Sequence, residues 1–218
     1  MTRGTLFQRL LRGIPASLFA ITILIAVTSA GCGDDDAPAT STPPPVPGHP
    51  LSARTGNTQA DAVLDAVTGG DTAAVRSLLD FVALPCAATQ MLGGPPPCPP
   101  GTPTGTLVDA FPLGQGCEGS YVDAGTAEQV TITLPPGARL YAVFTSQPAA
   151  GNPAKLEFPR GATVIVFTYP SGAPEHPVGS RALHVTDGRI VTMSGWCLES
   201  PADRVAGVTR DAFLLAPP

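Results

Sequence analysis

From residue 57 onward the apolar positions recur with two different periods. Val63, Leu64 and Val67 form a short stripe behind Thr58-Gln59-Ala60-Asp61. That arrangement predicts a helix opened by Thr58, whose hydroxyl oxygen can accept from the free amides of the first turn. Gly69-Gly70 interrupts the stripe, and Asp71 can cap a second helix. In it Val75, Leu78, Leu79 and Val82 fall at i, i+3, i+4 and i+7, with Pro85 as the stop. Beyond Cys117 the period drops to two. Val130, Ile132 and Leu134 alternate with Thr131 and Thr133, which predicts a half-buried strand ended by Pro135-Pro136-Gly137. Residues 139–145 and 163–169 are apolar on both faces, as in central strands covered on two sides. Residues 181–186 and 189–196 flank Asp187-Gly188, a type I′ hairpin signal whose register pairs Val185 with Ile190 and His184 with Val191. Ser200-Pro201-Ala202-Asp203 predicts a further helix start, with proline at its first position. Helices first and hairpin-linked strands afterwards predict an α+β domain over residues 57–218. Its short N-terminal helices would pack on a curved antiparallel sheet.

Residues 85–112 hold too many prolines for regular structure, Pro95-Pro96-Pro97-Cys98-Pro99-Pro100 among them. A loop of that length inside a domain needs a tie. Cysteine supplies it. Apart from Cys32 the chain has Cys86, Cys98, Cys117 and Cys197, and an even count in an exported domain reads as two disulfides. Three pairings are open. The favoured one joins Cys86 to Cys98, closing the proline loop, and Cys117 to Cys197, tying an early segment to a late strand. Zinc or thiol redox chemistry is disfavoured, because no Cys-x-x-Cys occurs and no histidine sits at ligand spacing from a cysteine. Neither a metal nor a cofactor is expected.

The first 31 residues read as an export signal. Arg3, Arg9 and Arg12 make a positive start, residues 14–31 carry no charge, and Ser29-Ala30-Gly31 leads into Cys32. The cysteine directly after Ala-Gly resembles the lipobox of bacterial lipoproteins, although the family prefers Leu, Val or Ile where Ser29 stands. The resemblance implies that Cys32 is lipidated and becomes the first mature residue. An uncleaved membrane helix and an ordinary secretory cleavage are the alternatives. All three place the remainder outside the cytoplasm, and the first anchors it to the cell membrane. Residues 32–56 then read as the lipidated cysteine and a proline-rich tether. About 24 residues of extended polyproline conformation reach at most ~75 Å. Within it Asp34-Asp35-Asp36 and His49 read as solvated spacer.

Charge changes this picture in one respect. The 218 residues include 12 Lys+Arg and 17 Asp+Glu, only 13% are charged and 43% are hydrophobic. These values exclude a highly charged disordered chain and argue against a nucleic-acid partner, which would need a basic face. Loss of the signal removes three arginines and no acid, leaving 9 basic and 17 acidic residues, net −8. Such a domain is repelled by anionic headgroups, so the lipid is its expected membrane contact.

Thr68-Gly69-Gly70-Asp71-Thr72-Ala73-Ala74-Val75 and the hairpin from Leu183 to Val191 together resemble the nuclear transport factor 2-like superfamily. The resemblance implies a curved sheet around a cone-shaped pocket. Some members of that family are isomerases or hydratases, and many are binding or assembly modules. The proline loop departs from its pattern, and no catalytic residue is matched by motif. Neither a Gly-x-Ser-x-Gly elbow, nor a phosphate-binding glycine loop, nor His-Glu-x-x-His is present. Ser120 and Ser194 lack a placed base. His176 reads as surface loop, Glu118 and Asp123 as loop acids flanking Tyr121, and Trp196 as a core aromatic beside Cys197. His184 is the one candidate acid or base, if it faces a pocket rather than the wet side of a strand. The expected function is a lipid-anchored, non-catalytic binding or interaction domain with a protein or small-molecule ligand. The alternative is a small pocket enzyme using His184.

Overall fold

The computed structural model describes residues 45–89, 91, 93–115, 118–152, 157–195 and 200–218. All belong to one unit, Thr42–Pro218. Cys32, the apolar stretch before it, Cys117, Trp196 and Cys197 lie outside the described residues. The helices are α1 (Thr58–Gly69), α2 (Thr72–Leu78), α3 (Ala124–Ile132) and α4 (Pro201–Arg204). The strands are β1 (Val82–Pro85), β2 (Leu107–Gln115), β3 (Glu118–Val122), β4 (Arg139–Thr145), β5 (Thr163–Ala173), β6 (His176–Thr186), β7 (Arg189–Ser194) and β8 (Phe213–Leu215). The fold is α+β. Its single sheet runs β1-β2-β7-β6-β5-β4-β8, with β3 beside β2. Every pairing is antiparallel except β2 with β7, where Leu113 faces Met193.

Alternation along β4 to β7 gives the sheet two different faces. On one, Leu140, Ile165, Phe167, Leu183, Ile190 and Met193 are fully buried under α1 and α2, which bring Val63, Leu64, Val67, Val75 and Leu79. On the other, Phe144, Val164, Val166 and Ala182 are covered in part by Val205, Val208 and Phe213 from the C-terminal segment. The apolar runs read as central strands are central for this reason.

Four local expectations are corrected. Residues 130–134 are not a strand. Asp123 caps α3, its carboxylate accepting from the Thr126 amide at 3.1 Å, and Ala127 and Thr131 are buried one turn apart. The buried Thr131 hydroxyl donates to the Ala127 carbonyl at 2.7 Å. A capped helix outcompetes a five-residue alternation that no neighbouring strand pairs. The cap of α1 is Asn57, which accepts from the Ala60 amide at 3.0 Å, rather than Thr58. Asp61 instead reaches back to the Thr55 amide and hydroxyl, both at 2.9 Å.

Helix α2 ends at Leu78 and does not continue to Val82. Arg189 from the closing hairpin donates to the carbonyls of Ser77, at 3.2 Å, and Leu79, and the Asp80 amide donates to Ile190 O at 2.9 Å. The helix end is thus taken up by β7, and Val82 to Pro85 pairs with Ala110 to Leu107 as an edge strand. Proline fits there because the outer side of an edge strand requires no donor. The proline-rich stretch is correspondingly shorter than residues 85–112, since β2 begins at Leu107. Cys86 and Cys98 are disulfide-bonded, Cα to Cα 4.8 Å, and this is the one disulfide among the described residues.

The fourth correction concerns residues 47–56, read as spacer. Pro47 O accepts from the buried Thr168 hydroxyl at 2.5 Å, and Gly48 O accepts from Arg139 Nε at 2.7 Å. His49 pairs with Leu140 through both backbone groups, at 2.7 and 3.1 Å, and its Nε2 bonds Ala216 O at 2.8 Å. Leu51 and Ala53 pack on the core, and Arg54 pairs with Asp65. This stretch is a strap laid on the domain. His49 is part of its fastening, not of a solvated spacer.

Candidate functional site

The candidate site is built by the Asp187-Gly188 hairpin. Asp187 (φ 50°) and Gly188 (φ 74°) both take the positive φ that a type I′ turn needs. Val185 faces Ile190 as expected, but a bulge follows, so His184 lies opposite Thr192 and not Val191. Ala182 and His184 of β6 point away from α1 and α2, toward α4. They therefore join Val164 of β5 and Phe144 of β4 in a cleft of ≈ 430 Å³, at whose rim stand Arg160 and Arg204.

Each wall has a local cause. The helix start expected at Ser200-Pro201 is present, and Ser200 and Asp203 close it with a reciprocal capping box. This turn aims Arg204 back at the sheet, where its Nε donates to Ser180 Oγ at 3.2 Å and its Nη1 to the buried Ser194 Oγ at 2.8 Å. Opposite, Gly161 brings the start of β5 so close to β6 that an added Cβ would sit 2.3 Å from Val185 N. That close approach places Arg160 beside His184. Ser146 closes the rim by donating to Gly161 O at 2.6 Å.

His184 is half-buried, and its Nδ1 is sealed from solvent without a hydrogen-bond partner. Burial, and then the nearby charges of Arg204 and Arg160, push its pKa down to about 4. The ring is therefore neutral at neutral pH. The acid lining the cleft is Asp203, whose carboxylate is occupied by the Ser200 amide and hydroxyl at 3.0 and 2.8 Å; those bonds hold its pKa below the usual carboxylate range.

No family model, curated protein or solved structure matches the chain. The site must be read from its own chemistry.

Of the other candidates Ser194 lines the same cleft, its hydroxyl accepting from Arg204, whereas Asp123, His176 and Tyr121 do not. Asp123 is the α3 cap, and His176 is exposed at the start of β6. Tyr121 is buried, its ring tilted against that of Phe158 with centroids 5.2 Å apart. Among the described residues no group of three or more His, Cys, Asp or Glu side chains could hold a metal ion. Nor is any described helix long and apolar enough to cross a membrane. Arg160 and Arg204 went unread in the sequence. Their one signal there is scarcity of basic residues, which does not say where the fold will bring them.

Proposed function

We propose that the protein is a lipid-anchored extracytoplasmic domain that binds a ligand through the cleft on the α4 side of its sheet, without catalysing a reaction on it. The observation that carries the binding half is the state of His184. A general acid or base works best with a pKa near the operating pH. This ring is held near 4, with two arginines beside it and its Nδ1 unpartnered among the described residues. It is a poor proton carrier and a serviceable neutral recognition group. The isomerase- or hydratase-like alternative asks His184 for proton transfer, which those surroundings oppose.

The anchoring half rests on the basic start, the uncharged stretch and Cys32. The Cys86–Cys98 bond supports an oxidising compartment. Succession of α1 and α2, a first group of strands, α3 and then the hairpin strands is in keeping with a nuclear transport factor 2-like domain, a group rich in binding modules. Here, however, the large side chains on the helix-covered face are fully buried, and the cleft opens on the other face. Intact mass of membrane-extracted protein tests the anchor. The expected product begins at Cys32 and carries lipid mass, and Cys32→Ala moves the protein out of the membrane fraction. An unmodified N-terminus elsewhere would sink it.

A further inference from the structure

The chemistry of the cleft identifies a class of ligand, an inference that rests on the binding reading above. Its floor is apolar: Phe144, Val164 and Ala182 are buried members of one cluster. Its lining carries the guanidinium groups of Arg160 and Arg204. Arg160 is exposed and forms no ion pair with any described residue, whereas Arg54, Arg76 and Arg189 are each matched to an acid. Ser146 already gives its proton to Gly161 O, and the Asp203 carboxylate is held by its own helix cap. A second cleft of ≈ 350 Å³ shares Arg160, and its acid, Asp80, lies 3.4 Å from Arg189 Nε. The polarity of His184 follows. With Nδ1 sealed and unpartnered, leaving a lone pair there strands no N–H, so the proton belongs on Nε2. That nitrogen is then a neutral donor.

A volume of ≈ 430 Å³ falls in the range that takes small organic ligands. We propose that the cleft binds a small organic carboxylate, the carboxylate bonded by Arg160 and His184 and its apolar body laid on Phe144, Val164 and Ala182. Such a site stands out in a mature domain of net charge −8, where the general field repels anions. The groups facing His184 are Arg160 from the segment before β5 and Arg204 and Asp203 from α4. A bound carboxylate offsets the arginines, so it must raise the histidine's pKa from its depressed value. By linkage, the ionised ligand binds more tightly as pH falls toward the depressed pKa of the histidine.

The test uses the purified full chain, with hexanoate as probe, hexanol as its uncharged counterpart and inorganic phosphate as a head without a body. Binding is followed by NMR signals of the His184 ring, assigned with His184→Gln. The expected result is saturable movement of those signals by hexanoate, at least tenfold tighter than by hexanol or phosphate. Arg160→Gln should weaken hexanoate at least tenfold without changing the melting temperature. Should that variant unfold, Arg160→Lys replaces it, and hexanoate binding should be kept to within a few-fold. Hexanol as tight as hexanoate, phosphate tighter than hexanoate, or unmoved His184 signals would each overturn the ligand class. So would an Arg160→Gln variant of native affinity. Lipidation of Cys32 is read separately by mass, and turnover of the probe would contradict the binding reading rather than the ligand class. The two failures are therefore distinguishable.

Discussion

Protonating His184 would place a further positive charge in a half-buried cleft beside Arg204 and Arg160, which is why its pKa is held down to about 4. An unfolded histidine titrates near 6.5, so as pH falls the unfolded chain takes the proton first. The stability contributed by the neutral ring is fully present above about pH 6.5 and is lost progressively toward pH 4. At one pKa unit per ~1.4 kcal/mol, the loss is ~3.5 kcal/mol at most, reduced by the part of the ring that water reaches. His184→Gln removes this titration. Urea melts at pH 7 and pH 5 should show native stability falling distinctly more than that of the variant; equal falls would contradict the assignment. Little of this was legible in the residue itself. That His184 sits on the closing hairpin follows from Asp187-Gly188, a signal contained in adjacent residues. That two arginines face it does not, because Arg160, His184 and Arg204 meet only after β5, β6 and α4 have assembled.

Elements were legible where their cause was local and misread where it was distant. Asp71 caps α2 as expected, and a helix starts at Ser200-Pro201 as expected. Alternation at Val130, Ile132 and Leu134 is equally local, yet it describes the last turn of a helix and its exit as well as it describes a strand. What decides between them is the Asp123 cap and the burial of Ala127 and Thr131. Asp123→Ala should therefore cost ~1 kcal/mol in a denaturant melt and expose the first-turn amides of α3 to hydrogen exchange. If residues 124–132 owed nothing to their cap, neither measurement would move. The end of α2 is a distant effect: Arg189 accounts for it, and only the sheet brings that guanidinium to Leu79.

At the scale of the whole molecule the Cys86–Cys98 bond holds a proline-rich excursion against the β1–β2 edge, helped by backbone bonds from Cys86 N to Thr106 O and from Gly105 N to Cys86 O, at 2.9 and 2.8 Å. On the chain-entropy model a loop of this size contributes ~3 kcal/mol, so Cys86→Ser with Cys98→Ser should lower stability by about that amount. A change near zero would mean that the backbone bonds alone hold the loop. Peptide mapping of the native protein should return Cys86 and Cys98 in one linked fragment, and the expected Cys117–Cys197 link would appear in the same experiment. The strap has the widest consequence. Because Pro47 is already fastened to Thr168, the proposed lipidation of Cys32 would leave at most residues 33–46 as a leash. At ~3.1 Å per residue its full stretch is ~43 Å, against ~75 Å for a leash running to residue 56. A tethered body searches a volume that grows as the cube of its leash, so the strap cuts the accessible hemisphere roughly fivefold. A domain so anchored would meet membrane-proximal solutes at a correspondingly higher effective concentration, trading reach for dwell time at the surface.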